Sequence, residues 1–200
     1  MDQLKEKLAL IDALIKCLDI PREEVIKHWQ TASMTNAPAN EVFTKTDYPN
    51  IKPGMFWYED DTFSFDKIKG KKIKAIVELV EDGFVYGDLM ASDIFAAKAE
   101  SLPWSLAKEY IRDYDYPLEK NEDIVLYNKD QLYKIVLNYD PVKNAFRRLG
   151  KSWRRSTFWT STESSEYMRA WAVAFRDTTV KEDLQYSSQC VRPVIALKVE

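Results

Sequence analysis

Between Ala170 and Phe175 the chain alternates strictly, with Trp171, Val173 and Phe175 on one side of an extended chain and Ala170, Ala172 and Ala174 on the other. A period of two belongs to a strand, so this segment is read as β. Its neighbours read the same way. Phe158-Trp159-Thr160-Ser161-Thr162 is rich in β-forming side chains. Val180–Tyr186 and Val191–Val199 are expected to complete a meander. Further upstream, Lys72–Val80 and Phe84–Leu89 flank Asp82-Gly83, the strongest short hairpin signal in the chain. Met55–Tyr58 and Thr62–Phe65 give two more short strands about the acidic turn Glu59-Asp60-Asp61.

Helical spacing occupies the rest. Leu4, Leu8, Ile11, Ile15 and Leu18 recur at three- and four-residue steps, which predicts a helix over 2–18. Pro21 suits the first turn of a second helix with Val25, Ile26 and Trp29 on its apolar face. Together they make a helical hairpin. Residues 31–54, with Pro38, Pro49, Pro53 and Gly54, read as a linker or extended wrap. Pro103 opens a helix carrying Trp104, Ala107, Tyr110 and Ile111. Asn128 and Gln131 are spaced as a capping box for a short helix through Leu132, Ile135 and Val136. Asp140-Pro141 starts another, with Val142, Ala145, Phe146 and Leu149 on one face and Gly150 at its end.

Composition narrows the function classes. Apolar residues make up 46% of the 200-residue chain, enough for a core, so a disordered chain is excluded. Lys and Arg number 29 against 32 Asp and Glu, a net charge of −3 that does not favour a nucleic-acid binder. Two cysteines, Cys17 and Cys190, make no disulfide framework, and one histidine, His28, leaves a zinc site almost no ligands. No metal or cofactor is expected. No apolar run is long enough for a membrane span. The N-terminus lacks the apolar core of a leader, because Asp12 and Lys16 interrupt it. The default expectation is therefore a cytoplasmic protein, with a phage particle or the cell surface as alternatives.

Three segments in the last third resemble a known bacterial family. Phe158-Trp159-Thr160-Ser161-Thr162-Glu163 is similar to the Tyr-Trp-Ser-Ser-Thr-Glu motif of the DUF1566 family, also called the Lcl C-terminal domain. Ala170-Trp171-Ala172-Val173-Ala174-Phe175 resembles its next strand, and Val191-Arg192-Pro193-Val194 its closing one. The resemblance extends over about residues 70–200 and is strong over 156–199. Leu126–Leu132 departs from the family's Leu-Pro-Ser run but keeps the capping role. The resemblance implies an α+β protein with a C-type-lectin-like fold: a twisted antiparallel sheet with two helices and long loops on one side. That domain would span 51–200, after a hairpin and linker over 1–50. It also implies recognition rather than catalysis, by kinship in fold with sulfatase-modifying proteins and with the variable ligand-binding proteins of retroelements.

Candidate sites divide accordingly. Calcium-dependent sugar binding requires converging oxygen ligands, and the lectin motifs Glu-Pro-Asn, Gln-Pro-Asp and Trp-Asn-Asp are absent. No catalytic residue is assigned, since a triad or an oxidase pair would have to be drawn from His28, Cys17 and Cys190 alone. Carboxylates such as Glu163 and Glu166 read as a solvated loop. Lys67, Lys69, Lys71, Lys72 and Lys74 read as protection of an exposed strand. Arg147, Arg148, Lys151, Arg154 and Arg155 surround Trp153 and form the better patch for a nucleic-acid strand. Trp159, Trp171 and Phe175 read as core, and Arg192 as a structural tie. The expected ligand-binding residues lie in two polar loops, Thr162–Arg169 and Leu184–Gln189: Glu163, Ser165, Glu166, Tyr167, Arg169, Tyr186 and Ser188. Tyrosine supplies contact area there at low entropic cost. The expected function is a non-enzymatic binding module for a protein or glycan, of the kind carried by phage or mobile elements. The alternatives are a sulfatase-modifying-type enzyme and a nucleic-acid-associated protein. The stripe of the first helix is the candidate contact for a homo-oligomer.

Overall fold

The computed structural model describes residues 41–93, 97–137, 139–153, 156–175 and 178–199. The predicted N-terminal hairpin, with Cys17 and His28, lies outside them. The described chain is α+β, with twelve strands in two sheets, three α-helices and two short 3-10 segments. No helix among the described residues is long and apolar enough to cross a membrane.

The first sheet holds β1 (Phe43–Thr44), β2 (Phe56–Tyr58), β3 (Thr62–Ser64), β4 (Ile73–Glu81), β5 (Phe84–Asp88), β7 (Glu122–Val125) and β12 (Val194–Lys198). Their order across the sheet is β1-β3-β2-β4-β5-β12-β7. The second holds β6 (Glu100–Leu102), β8 (Thr157–Glu163), β9 (Arg169–Ala174), β10 (Thr179–Leu184) and β11 (Gln189–Val191), in the order β10-β9-β8-β11-β6. Every pairing is antiparallel except the single contact of β11 with β8, Cys190 opposite Phe158.

Local chemistry explains the elements. Asp82 and Gly83 have φ of 48° and 79°, the left-handed pair that a two-residue turn between β4 and β5 requires. The helix α2 (Lys129–Leu137) starts at a reciprocal box. Gln131 N–H donates to Asn128 Oδ1 at 2.8 Å, and Asn128 N–H donates to Gln131 Oε1 at 3.0 Å. The helix α1 (Trp104–Arg112) buries Trp104, Ala107 and Ile111 of the four residues expected on its stripe, while Tyr110 is partly buried at the edge of the second core. In α3 (Tyr139–Arg148), Val142, Ala145 and Phe146 face the core. The domain thus carries three helices where the resemblance implies two.

Two apolar cores lie on opposite sides of the sheets. The first gathers Phe56, Ile76, Leu79, Tyr127, Ile135, Phe146, Trp153, Phe158 and Phe175. The second gathers Trp57, Phe63, Val77, Trp104, Trp159, Ala172 and Ile195. The alternation in 170–175 divides between them, with Val173 and Phe175 in one core and Ala170 and Ala172 in the other. Trp171 is only partly buried, under the Lys129 ammonium 4.3 Å from its ring centroid.

Three expectations are corrected. The Val191–Val199 segment does not close a meander. Proline has no N–H to give a ladder, and at Arg192-Pro193 the chain leaves the second sheet to become β12, inserted between β5 and β7. Lys74 is not on an exposed edge: β4 is central, Lys74 is buried, and its ammonium pairs with the Glu122 carboxylate. Trp153 does not present a stacking face. It is buried, its Nε1 donates to Glu78 Oε1 at 2.8 Å, and its ring meets Phe175 edge-on at 5.3 Å. Residues 43–50, inside the expected wrap, add β1 to the sheet edge and form a 3-10 turn.

Candidate functional site

A register irregularity in β8 creates the base of the loop surface. Pairing with β9 is regular up to Trp159, breaks over the next three residues, and resumes at Glu163 opposite Ala170. The Thr160 and Thr162 side chains are bonded within that break. Thr160 Oγ1 donates to the Trp171 carbonyl at 2.9 Å. Thr162 Oγ1 accepts from Lys129 N–H at 2.9 Å and so satisfies a donor at the start of α2. Ser161 N–H donates to the Tyr127 carbonyl at 2.7 Å. Trp159 Nε1 donates to the Leu102 carbonyl and Trp104 Nε1 to the Thr160 carbonyl, both at 2.8 Å. The motif is therefore a stitch joining β8, β9, α1 and α2.

The two predicted loops leave this stitched base and dock on each other. Gln185 N–H donates to the Met168 carbonyl at 2.9 Å, one rung beyond the last β9–β10 pair, Leu184 with Arg169. The Gln185 side-chain amide donates to Glu163 Oε1 and to the Arg169 carbonyl, each at 3.1 Å. Its own carbonyl takes the Trp104 N–H at 2.8 Å, which ties the second loop to the start of α1. Ser164 Oγ donates to Glu182 Oε1 at 2.6 Å and accepts the Glu166 N–H at 2.9 Å. Met168 has φ of 55°, a left-handed turn that an ordinary side chain adopts at a cost.

The second loop is held from within by Asp183. It accepts from Gln189 Nε2 at 2.7 Å, from Leu184 N–H at 2.9 Å and from the Lys181 ammonium at 3.1 Å. Burial pushes its carboxyl up, but these donors outweigh burial and hold it below the ordinary aspartate value.

What this arrangement leaves outward is aromatic. Tyr167 is 88% exposed and Tyr186 is 64% exposed. They flank the Met168–Gln185 rung, and Met168 beside them is also exposed. Ser165, Glu166 and Ser188 are exposed around them, Glu163 is exposed and bonded to Gln185, and Arg169 is half-buried with its carbonyl engaged. These bonds bring Glu163, Glu166 and Arg169, with the chain neighbours Tyr167 and Tyr186, to the end of the β9–β10 pair, while Ser165 and Ser188 are exposed positions farther along the same two loops. Gln185 was not singled out by sequence; a lone glutamine in a polar run carries no signal of its bridging position.

The buried polar groups elsewhere serve architecture. Arg192 Nη1 lies 2.9 Å from Asp88 Oδ2, both fully inside, with the guanidinium over Phe146 and Phe158. This is the structural tie expected of Arg192. A bulge in β4 between Val77 and Leu79 turns Glu78 into the first core, where it accepts from Trp153 Nε1 and, at 3.1 Å, from Tyr127 OH. In the basic patch, Arg148 bonds the Phe65 carbonyl and Asp66, and the Lys151 ammonium bonds the Met90 and Ser92 carbonyls. Cys190 is a free, partly buried thiol on β11. No group of three His, Cys, Asp or Glu side chains among the described residues is placed to hold a metal ion. No family model matches the chain, and no curated protein matches it.

Proposed function

We propose that this protein is a non-enzymatic recognition module that binds a protein or a glycan through the Thr162–Arg169 and Leu184–Gln189 loops on a C-type-lectin-like scaffold. The observation that carries the reading is the pairing of a fixed base with exposed rings. Large apolar side chains that stay in water at the end of a well-bonded loop pair mark a contact surface. Among the described residues, Tyr167 and Tyr186 are the two most exposed of the large apolar side chains. Because the loops are already bonded to each other, little ordering entropy remains to oppose binding.

The fold resemblance supports the same reading. The motif that resembles the DUF1566 one supplies the stitch under the loops, and the loops themselves carry side chains that the core does not use. The nucleic-acid alternative loses its stacking ring, since Trp153 is buried. The test is an array screen, glycan and protein, of the wild-type chain beside Tyr167→Ala and Tyr186→Ala. The expected result is a ligand whose signal falls at least about tenfold with either change. An array ligand bound equally by all three chains would move the site away from these loops.

A further inference from the structure

A second surface runs along one flank of α1, at the margin of the second core, against which Tyr110 and Tyr114 pack while Leu106 and Glu109 stay exposed. Leu106, Glu109, Tyr110 and Asp113 recur at three- and four-residue steps, a stripe distinct from the buried Trp104, Ala107 and Ile111. With Tyr114 and Asp115 they line an open groove of about 460 Å³. Its floor is apolar and aromatic. Tyr110 and Tyr114 meet edge-on at 5.3 Å, the Tyr110 hydroxyl donates to the Lys98 carbonyl at 2.9 Å, and Leu106 is exposed. Its rim is acidic. Asp113 is paired with Arg112, but Glu109 and Asp115 have no ion-pair partner among the described residues. Asp113 is also the C-terminal cap of α1, so the carbonyl end of that helix lies beside the groove and adds negative potential.

We propose that this groove docks a basic peptide segment of a partner protein, in which Lys or Arg alternates with apolar side chains. The stems of such cations lie along leucine and tyrosine while their heads reach the carboxylates. The open shape covers one side of an extended chain, whereas a small molecule needs a pocket that encloses most of it. Anionic lipid or nucleic acid would be repelled by the same rim. The proposal stands apart from the loop surface, and neither depends on the other.

The test uses two labelled synthetic peptides, one alternating Lys or Arg with Leu and one alternating Glu with Leu, titrated into the full chain. The basic peptide should bind and the acidic one should not. Binding should weaken by at least about fivefold between about 0.03 and 0.3 M salt, as expected for exposed charges. Glu109→Gln with Asp115→Asn should weaken it about tenfold or more, while Glu41→Gln with Asp123→Asn, equal in net charge and outside the groove, should leave it unchanged. Amide chemical shifts of α1 should move on titration in the wild type. All four of these exchanged side chains are on the described surface, and an unchanged unfolding midpoint checks that the fold is kept. Absence of binding, equal binding of both peptides, or equal loss in the two double variants would overturn the proposal.

Discussion

The seam between the two sheets and the loop end of the second sheet are built from similar residue types to opposite effect. At the seam, Arg192 and Asp88 are buried, paired and overlaid with Phe146 and Phe158. At the loop end, Glu163 with Gln185, Ser164 with Glu182, and Asp183 with Gln189 are also bonded pairs, but beside rings left in water. Polar bonding at the seam fixes where β12 crosses between sheets. Polar bonding at the loop end fixes two loops whose outward side chains contribute nothing to the core. The first region should answer to substitution in stability, the second in binding.

The largest effect is expected at the seam. Arg192→Met leaves the Asp88 carboxylate buried without its guanidinium, and should cost about 3–5 kcal/mol in urea unfolding. Replacing both partners, with Asp88→Asn added, should cost less than the sum of the two single changes. Strict additivity would mean that the pair does not act as one unit.

A smaller loss is expected where β4 and β5 cross Trp57. A Cβ on Gly87 would sit 2.6 Å from that of Ala75 and 2.9 Å from the Trp57 ring. Gly87→Ala should cost about 1–3 kcal/mol by overpacking, read as a lowered unfolding midpoint. An unchanged midpoint would mean that the two strands separate freely.

At the loop end, Ser164→Ala removes a donor to Glu182 and an acceptor for the Glu166 N–H, and should cost only about 1 kcal/mol. Its clearer signature should be faster amide exchange at Glu166 and Arg169. Protection equal to wild type would separate Ser164 from the fixing of the loop.

Acid should loosen the same region. The Asp183 carboxyl titrates below its unfolded value, so its contribution is present above the unfolded value near about pH 4 and is lost as pH falls through the lower folded one. Asp183→Asn should flatten the acid limb of the stability profile relative to wild type. Parallel limbs would remove Asp183 from that role.

Much of this was legible in the residues. The Asp82-Gly83 turn, the Asn128–Gln131 box and the apolar stripes of the three helices each have a local cause, and each forms. The alternation of 170–175 sends Val173 and Phe175 to one core and Ala170 and Ala172 to the other, but Trp171, expected in the core, is only partly buried. What was not legible is long-range. β6 and β7, Glu-Ser-Leu and Glu-Asp-Ile-Val, are end strands with too little apolar alternation to announce themselves. The exit of β12 into the other sheet depends on Arg192 meeting Asp88, more than a hundred residues away in sequence. Trp153 looked like a surface ring because basic residues surround it. Its neighbour in space, Glu78, is brought there by a bulge that no spacing predicts. The two loops could be marked out because polar runs between strands are visible, but the Gln185 bridge between them, to Glu163, Met168 and Arg169, could not.

The most direct test sets binding against stability in one variant, Tyr167→Ala with Tyr186→Ala. Its affinity for the array ligand is measured beside its unfolding free energy. The expected result is a dissociation constant raised at least about tenfold with stability within about 0.5 kcal/mol of wild type. Unchanged affinity, or a loss of affinity matched by a loss of stability, would contradict a loop surface built for recognition.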